Sequence, residues 1–203
     1  MSAISGYVHD TADVAGSATI GAGSKIWHYA QVREGASLGL NCVVGRGAYI
    51  GTSVQMGDNC KVQNYALVYE PARLARGVFI GPAVVLTNDH FPRAINADGT
   101  QKSADDWNPV GDDIREGASI GANSTCIAPV VIGRWALVGA GSVVVKDVPD
   151  LALVVGSPAR RIGWVGTAGH PLREEAPGRW ICPATGARYE QTGPDTLTES
   201  GDT

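Results

Sequence analysis

Residues 18–51 read ATIGAGSKIWHYAQVREGASLGLNCVVGRGAYIG, and an aliphatic side chain returns in them at every sixth place: Ile20, Ile26, Val32, Leu38, Val44, Ile50. Outward from this stretch the column begins at Val8 and Val14 and continues through Met56, Val62, Val68, Leu74, Ile80 and Leu86. The place after the aliphatic is often glycine (Gly21, Gly39, Gly45, Gly51). Four places after it sits a small residue (Ser24, Ala30, Ala36, Cys42, Ala48). Neither the helical period of about 3.6 nor strand alternation alone produces a column of six over this length. A six-residue unit is one short strand plus a turn. Its aliphatic points inward, and its small residue fits a corner that cannot hold bulk. Three units close one triangular coil, and successive coils stack as parallel strands roughly 4.8 Å apart. Each coil hides its apolar face only against its neighbours. The pattern therefore predicts an all-β repeat, a parallel β-helix. A sandwich would need hairpin signals and alternating faces at about 8–12-residue spacing.

The column fails after Leu86. A second block restarts out of phase at Ile114 and runs through Ile120, Cys126, Ile132, Val138 and Val144, with small residues at Ala118, Ser124, Ala136 and Ser142. Between the blocks lies TNDHFPRAINADGTQKSADDWNPVGDD, residues 87–113, which is polar and acid-bearing. A long segment that interrupts a regular scaffold predicts an extruded loop folding over a neighbouring surface. Beyond Val145, Pro149 and Pro158 punctuate the chain, and a short C-terminal helix from about Ala159 is expected to close the open end, because an uncovered coil exposes unpaired strand groups. The domains so read are a β-helix over 1–158, with loop 87–113 extruded, and a C-terminal helix and tail over 159–203. The Gly-, Pro- and acid-rich part from Thr167 reads as partly ordered.

The formal net charge of -4 and pI of about 5.5 come without a basic stripe, which argues against nucleic acid as a partner. Met1 is followed by SAISGYVHD, with no basic or apolar region of a signal peptide. No apolar run approaches the roughly 20 residues of a membrane span. Cys42, Cys60, Cys126 and Cys182 form no CxxC, as expected of reduced thiols in a cytoplasmic protein. Cys42 and Cys60 are one coil apart; both fill the small inner slot, so buried free thiols are expected. Charged residues are only 18% of the chain, low enough to suggest that part of the surface is covered in an oligomer.

The hexads, the interrupting loop and the ending GAGSVVVKDVPDLALVVGSPARRIGW (139–164) together resemble the hexapeptide-repeat acyltransferases. The closer likeness is to bacterial sugar-nucleotide 3-N-acetyltransferases, of the type acting on UDP-2-acetamido-3-amino-2,3-dideoxy-glucuronate. IWHYA (26–30), KVQNYALVYE (61–70), VFIGPAVVLTNDHFPRA (78–94) and ICPATGARY (181–189) carry it. Tyr65 stands where Asn is usual and Pro71 where Gly is usual. The resemblance implies a left-handed β-helix, acetyl-CoA as co-substrate, no metal, a homotrimer with sites between subunits, and a place in cell-surface polysaccharide or glycoconjugate biosynthesis. A dTDP-3-amino-3,6-dideoxyhexose N-acetyltransferase is the alternative of the same class. A non-catalytic β-helix scaffold is the alternative of another class. A metal enzyme on this repeat would need three clustered histidines, and His9, His28, His90 and His170 offer none within one coil register.

The coil period stacks surface residues from sequence alone. His28, Arg46 and Asn64 fall in one column, and Glu34, Thr52, Glu70 and Asn88 in another, so that Asn88 should lie one coil above Glu70. Asn88 is also where the loop begins. The resemblance assigns Asn88 to the substrate amino group and Asn64 to the sugar nucleotide. Arg46 suits a nucleotide phosphate or sugar carboxylate, and Glu70 and Arg93 are further expected substrate contacts. A sugar amine titrates near about 8, so about a tenth is neutral at pH 7 and a general base is helpful rather than obligatory. His28, His90, Asp89 and Glu70 are the candidates, with His28 and Asn88 chosen as the catalytic pair. Lys146, Arg160 and Arg161 suit the coenzyme's phosphates. Gly139 and Ala140 suit backbone pairing with its pantetheine arm.

Overall fold

The structure, a computed structural model, describes residues 6–200. It is a left-handed parallel β-helix, as the repeat and its likeness predicted. Each hexad contributes a two-residue strand, outward residue first and aliphatic second: Lys25–Ile26, Gln31–Val32, Ser37–Leu38. Pairing runs in register one coil apart, so Lys25 lies on Val43 and Val43 on Lys61. Three faces result. The first begins at Tyr7–Val8 and has nine strands, the second begins at Asp13–Val14 and has seven, and the third begins at Thr19–Ile20 and has six. The aliphatic columns of all three meet in one buried core with the small corner residues. Its thiols are free: Cys42 and Cys60 donate to the carbonyls of Gly57 and Ala75 instead of joining each other.

Corners explain the rest of the repeat. The third corner residue turns in the left-handed region, and Gly47 (φ 62°) shares its column with Tyr29 (57°) and Tyr65 (60°). Non-glycine residues there store strain. Gly47 is constrained twice, since the Tyr65 ring lies across it and an added Cβ would sit 2.6 Å from that ring. Gly47→Ala is expected to lower unfolding stability by about 1–3 kcal/mol. Urea titration checks this. An unchanged midpoint would mean that the Tyr65 ring swings aside freely.

The loop leaves after Leu86 at the edge between the second and third faces and returns at Asp113–Ile114. Arg73 pairs with Asp113, 40 residues on rather than 18, so 22 residues are extra to the coil. The loop is extruded, as expected. It orders itself locally: Ile95 bridges Gln101, and Ser103 caps a single turn at Ala104–Asp106. Phe91 is 76% exposed and Ile95 55%.

Two expectations about the C-terminus are corrected. There is no helix at Ala159. Ala152–Val155 adds one more parallel strand to the first face, and Arg160–Trp164 returns along it antiparallel, Val155 on Arg160 and Ala152 on Trp164. A strand satisfies the open edge by backbone pairing, which a helix lying over it would not do. Trp164 and Val165 are buried there. Nor are residues 167–200 only a partly ordered tail. Arg173–Ala176, Arg179–Ile181, Arg188–Gly193 and Thr196–Glu199 form a four-stranded antiparallel sheet around Tyr189, Cys182 and Leu197. Pro177–Gly178 and Gly193–Pro194–Asp195 are its hairpin turns, a signal the composition of the segment concealed.

Candidate active site

The loop walls a cleft of about 550 Å³ against the next coil, lined by His90, Phe91, Lys102, Trp107 and Pro129 among others. Both roots of the loop grip one corner of that coil, Ala128–Pro129–Val130. Thr87 Oγ1 accepts the Ala128 N–H at 3.0 Å, and His90 Nδ1 lies 3.0 Å from the Ala128 carbonyl oxygen. A carbonyl only accepts, so the bond requires the proton on Nδ1, and in the neutral ring that leaves Nε2 as the acceptor. Phe91 packs edge-on to the imidazole at 4.3 Å between centroids. Asp89 Oδ1 accepts the Phe91 N–H and so serves the turn.

Asn88 stands one coil above Glu70, as the period predicted, because Leu67–Val68 pairs with Val85–Leu86. Its carbonyl accepts the Val110 N–H, closing the loop's neck. Its carboxamide has no partner among the described residues. Glu70 folds back over Gly51, with Oε2 buried and without a hydrogen bond. Burial, and then the charge of Glu70, hold the neighbouring Tyr49 hydroxyl above its ordinary range. Arg93 is exposed and donates to the Pro92 carbonyl.

The other column lies at the opposite edge of the second face. Asn64 Oδ1 accepts the Arg46 N–H at 2.9 Å, so half of that amide stitches coils together. The Arg46 guanidinium lies 5.0 Å from the Tyr29 ring centre. His28 stacks on His9 at 3.5 Å between centroids. It sits three coils below Asn88, about 14 Å along the axis at the ordinary strand spacing. Within one chain the structure does not bring His28 and Asn88 together; the histidine that shares the loop with Asn88 is His90, two residues on.

At the closing end, Lys146, Arg160 and Arg161 share a cavity of about 300 Å³ with Asp195. Arg161 is committed: it pairs with Asp195 at 3.0 Å, donates to the Pro194 carbonyl and lies over the Trp164 ring. That leaves Lys146 and Arg160 as the cations available to a phosphate. The backbone of Gly139 is also committed, its N–H to Val154 and its carbonyl to the hydroxyls of Ser124 and Ser142. Ala140 and Gly141 are the exposed residues of that corner.

Sequence reasoning missed three residues. Lys102 and Trp107 line the cleft from within the polar loop, where no period marks them. Asp112 was legible, since six places before Ala118 is the small inner slot of the second block. It is 1% exposed, and Oδ2 has no hydrogen-bond partner. Burial raises its carboxyl to about 7, against the opposing effect of the Val130 N–H.

Among the described residues, no three or more His, Cys, Asp and Glu side chains are grouped to hold a metal ion, and no helix is long and apolar enough to cross a membrane. The family model of the bacterial transferase hexapeptide (six repeats) matches residues 17–52, and that of the hexapeptide repeat of succinyl-transferase matches 114–146, one on each side of the loop. The bifunctional protein GlmU of Alkalilimnicola ehrlichii is 32% identical over 148 residues, 71% of this chain and 32% of that protein. The dTDP-3-amino-3,6-dideoxy-alpha-D-galactopyranose 3-N-acetyltransferase of Aneurinibacillus thermoaerophilus is 58% identical over 52 residues, 26% of this chain and 27% of that one. The chain thus spans about a third or less of the length of these relatives. A hexapeptide-repeat-containing acetyltransferase of Vibrio cholerae, solved with acetyl coenzyme A, superposes with a TM-score of 0.50 at 25% identity, covering 64% of this chain and 70% of the other.

Proposed function

We propose that this hexapeptide-repeat chain transfers an acetyl group from acetyl-CoA to the 3-amino group of a nucleotide-linked amino sugar. The observation that carries the reading is His90, whose Nδ1 is held by the Ala128 carbonyl and whose Nε2 is left as the neutral ring's acceptor in the loop cleft it lines, two residues along the chain from Asn88. The substrate amine attacks the thioester carbonyl carbon. A tetrahedral oxyanion forms and collapses, the C–S bond breaks, and coenzyme A leaves as thiolate. The amine proton passes to His90 Nε2 and from there to the thiolate. The Asn88 carboxamide oxygen accepts from the amine and aims its lone pair. Lys146 and Arg160 meet the coenzyme's phosphates, and Ala140 offers backbone to its pantetheine arm. Arg46, Asn64, Glu70 and Arg93 remain the contacts assigned to the sugar nucleotide.

Arg46, Asn64 and His28 lie far from the loop in one chain. They serve the same site only if copies of the chain supply different parts of it, as in a homotrimer. A monomeric mass by light scattering would contradict that arrangement.

The 58% relative is named for a dTDP-linked 3-amino-3,6-dideoxyhexose, which supports that substrate beside the UDP-linked 2-acetamido-3-amino uronate. Thiol release from acetyl-CoA, measured against both sugar nucleotides, is the test. Release with one and not the other fixes the nucleotide and C6 class. Silence with both, and no coenzyme A binding by calorimetry, would return the chain to a non-catalytic scaffold.

A further inference from the structure

We propose that Asp112 is a positioning residue, which fixes the Ala128–Pro129–Val130 corner and through it the tautomer and aim of the His90 imidazole. The inference rests on the reading of His90 as the base, and its first measurement does not need activity.

At the edge where the loop emerges, regular coils close their own corner. The Ala36 N–H donates to the Arg33 carbonyl, Val54 to Gly51, and Ala72 to Tyr69. Val130 departs from this habit. Its N–H donates instead to Asp112 Oδ1 in the preceding coil, at 3.1 Å. The inner column at this edge is otherwise apolar: Ala18, Ala36, Val54, Ala72, Val130 and Val148. Asp112 is the one charged side chain among the buried residues described. Its second oxygen is buried with no partner, an arrangement that costs stability and calls for a reason.

The reason lies one peptide away. Ala128 presents its carbonyl to His90 Nδ1 and its N–H to Thr87 Oγ1. Pro129, between Ala128 and Val130, has no N–H of its own and lines the cleft. The corner is therefore held from three points, two at the loop's departing root and one at its return. Releasing Val130 frees the Ala128 carbonyl to tilt. The Nδ1 bond then weakens, and the imidazole exchanges toward the Nε2–H tautomer, which has no lone pair on the nitrogen facing away from Ala128. Cys126, whose thiol burial pushes up, is the other titratable group facing Asp112 in the core.

Two substitutions separate positioning from packing. Asp112→Asn keeps an oxygen for Val130. Asp112→Val matches the apolar column and removes the acceptor, and Asp112→Ala does the same in the mould of Ala36 and Ala72 should the valine variant not fold. Nitrogen-15 NMR of the neutral His90 ring is expected to report the Nδ1–H tautomer in the wild type and in Asp112→Asn. In Asp112→Val both tautomers should appear in comparable amounts. With substrate, kcat of Asp112→Val should fall about tenfold or more, with KM for acetyl-CoA within about twofold. A wild-type tautomer and kcat in the folded valine or alanine variant would overturn the proposal, as would a shifted tautomer in Asp112→Asn. A shifted tautomer in Asp112→Val alone, in a protein whose wild type releases no thiol, upholds the positioning and removes the acyltransfer reading instead.

Discussion

His90→Asn is expected to lower kcat/KM for the amino-sugar substrate by about 10²–10³-fold at pH 7, which is about 3–4 kcal/mol of transition-state stabilisation. Asparagine suits the question because its Nδ2 stands roughly where Nδ1 of histidine does. It can still donate to the Ala128 carbonyl, which His90 meets at 3.0 Å. The corner stays clamped and only the second ring nitrogen is lost. Thermal stability should therefore hold, and KM for acetyl-CoA should change little.

The pH profile carries the sharper distinction. In the wild type, base and amine together shape the acidic limb of kcat/KM. In His90→Asn only the amine remains, and the residual rate should climb with pH toward the amine's own value near about 8. A wild-type rate and profile in His90→Asn would remove His90 as base. The same measurement on His28→Ala tells the two histidines apart. That variant loses a ring stacked on His9 and should keep the profile. If His28→Ala loses the limb and His90→Asn keeps it, the base is His28, presented to the loop of one copy by another.

How far the sequence reached follows from what has a period. Ile26, Val44 and Val62 are 18 residues apart and stack in register, because a coil of three hexads has no freedom to slip without turning its aliphatics outward. The same period placed Asn88 above Glu70. Loop residues have none, so Lys102 and Trp107 could not be assigned to the cleft before the loop's path was known. His28 drew attention because it lies among Trp27 and Tyr29 in the hexads. His90 is fixed by a contact 38 residues away, which no local pattern announces. Arg161 looked like a phosphate ligand until the hairpin at Gly193–Thr196 supplied Asp195 and Pro194 to hold it. The terminal strand and sheet were misread for a different reason. Short hairpins rich in Arg, Glu and Gly have little apolar alternation, and Tyr189, Cys182 and Leu197 form too small a core to stand out.

Asp112 sets the largest expected pH dependence of folding. Burial pushes its native carboxyl up to about 7, from an ordinary value of 3.8. The native state therefore binds more protons than the unfolded state between about pH 4 and pH 7, and stability falls as pH rises through that window. Below it both states are protonated and the group is neutral in effect. Above it both are ionised, and the buried charge costs the native state about 4 kcal/mol as an order of magnitude. Asp112→Asn removes the titration. Its amide nitrogen inherits the buried position with no acceptor, a penalty of about 1–3 kcal/mol that does not vary with pH. The variant should therefore be no more stable than the wild type at pH 4.5, yet overtake it by pH 8. Urea unfolding at pH 4.5, 6 and 8, at one protein concentration so that any assembly contributes equally, reads the change in the difference. Parallel stability curves across the three pH values would mean that Asp112 reaches water or a partner for its second oxygen. The charged form would then be tolerated in the native coil, and the corner would depend on an ordinary surface carboxylate.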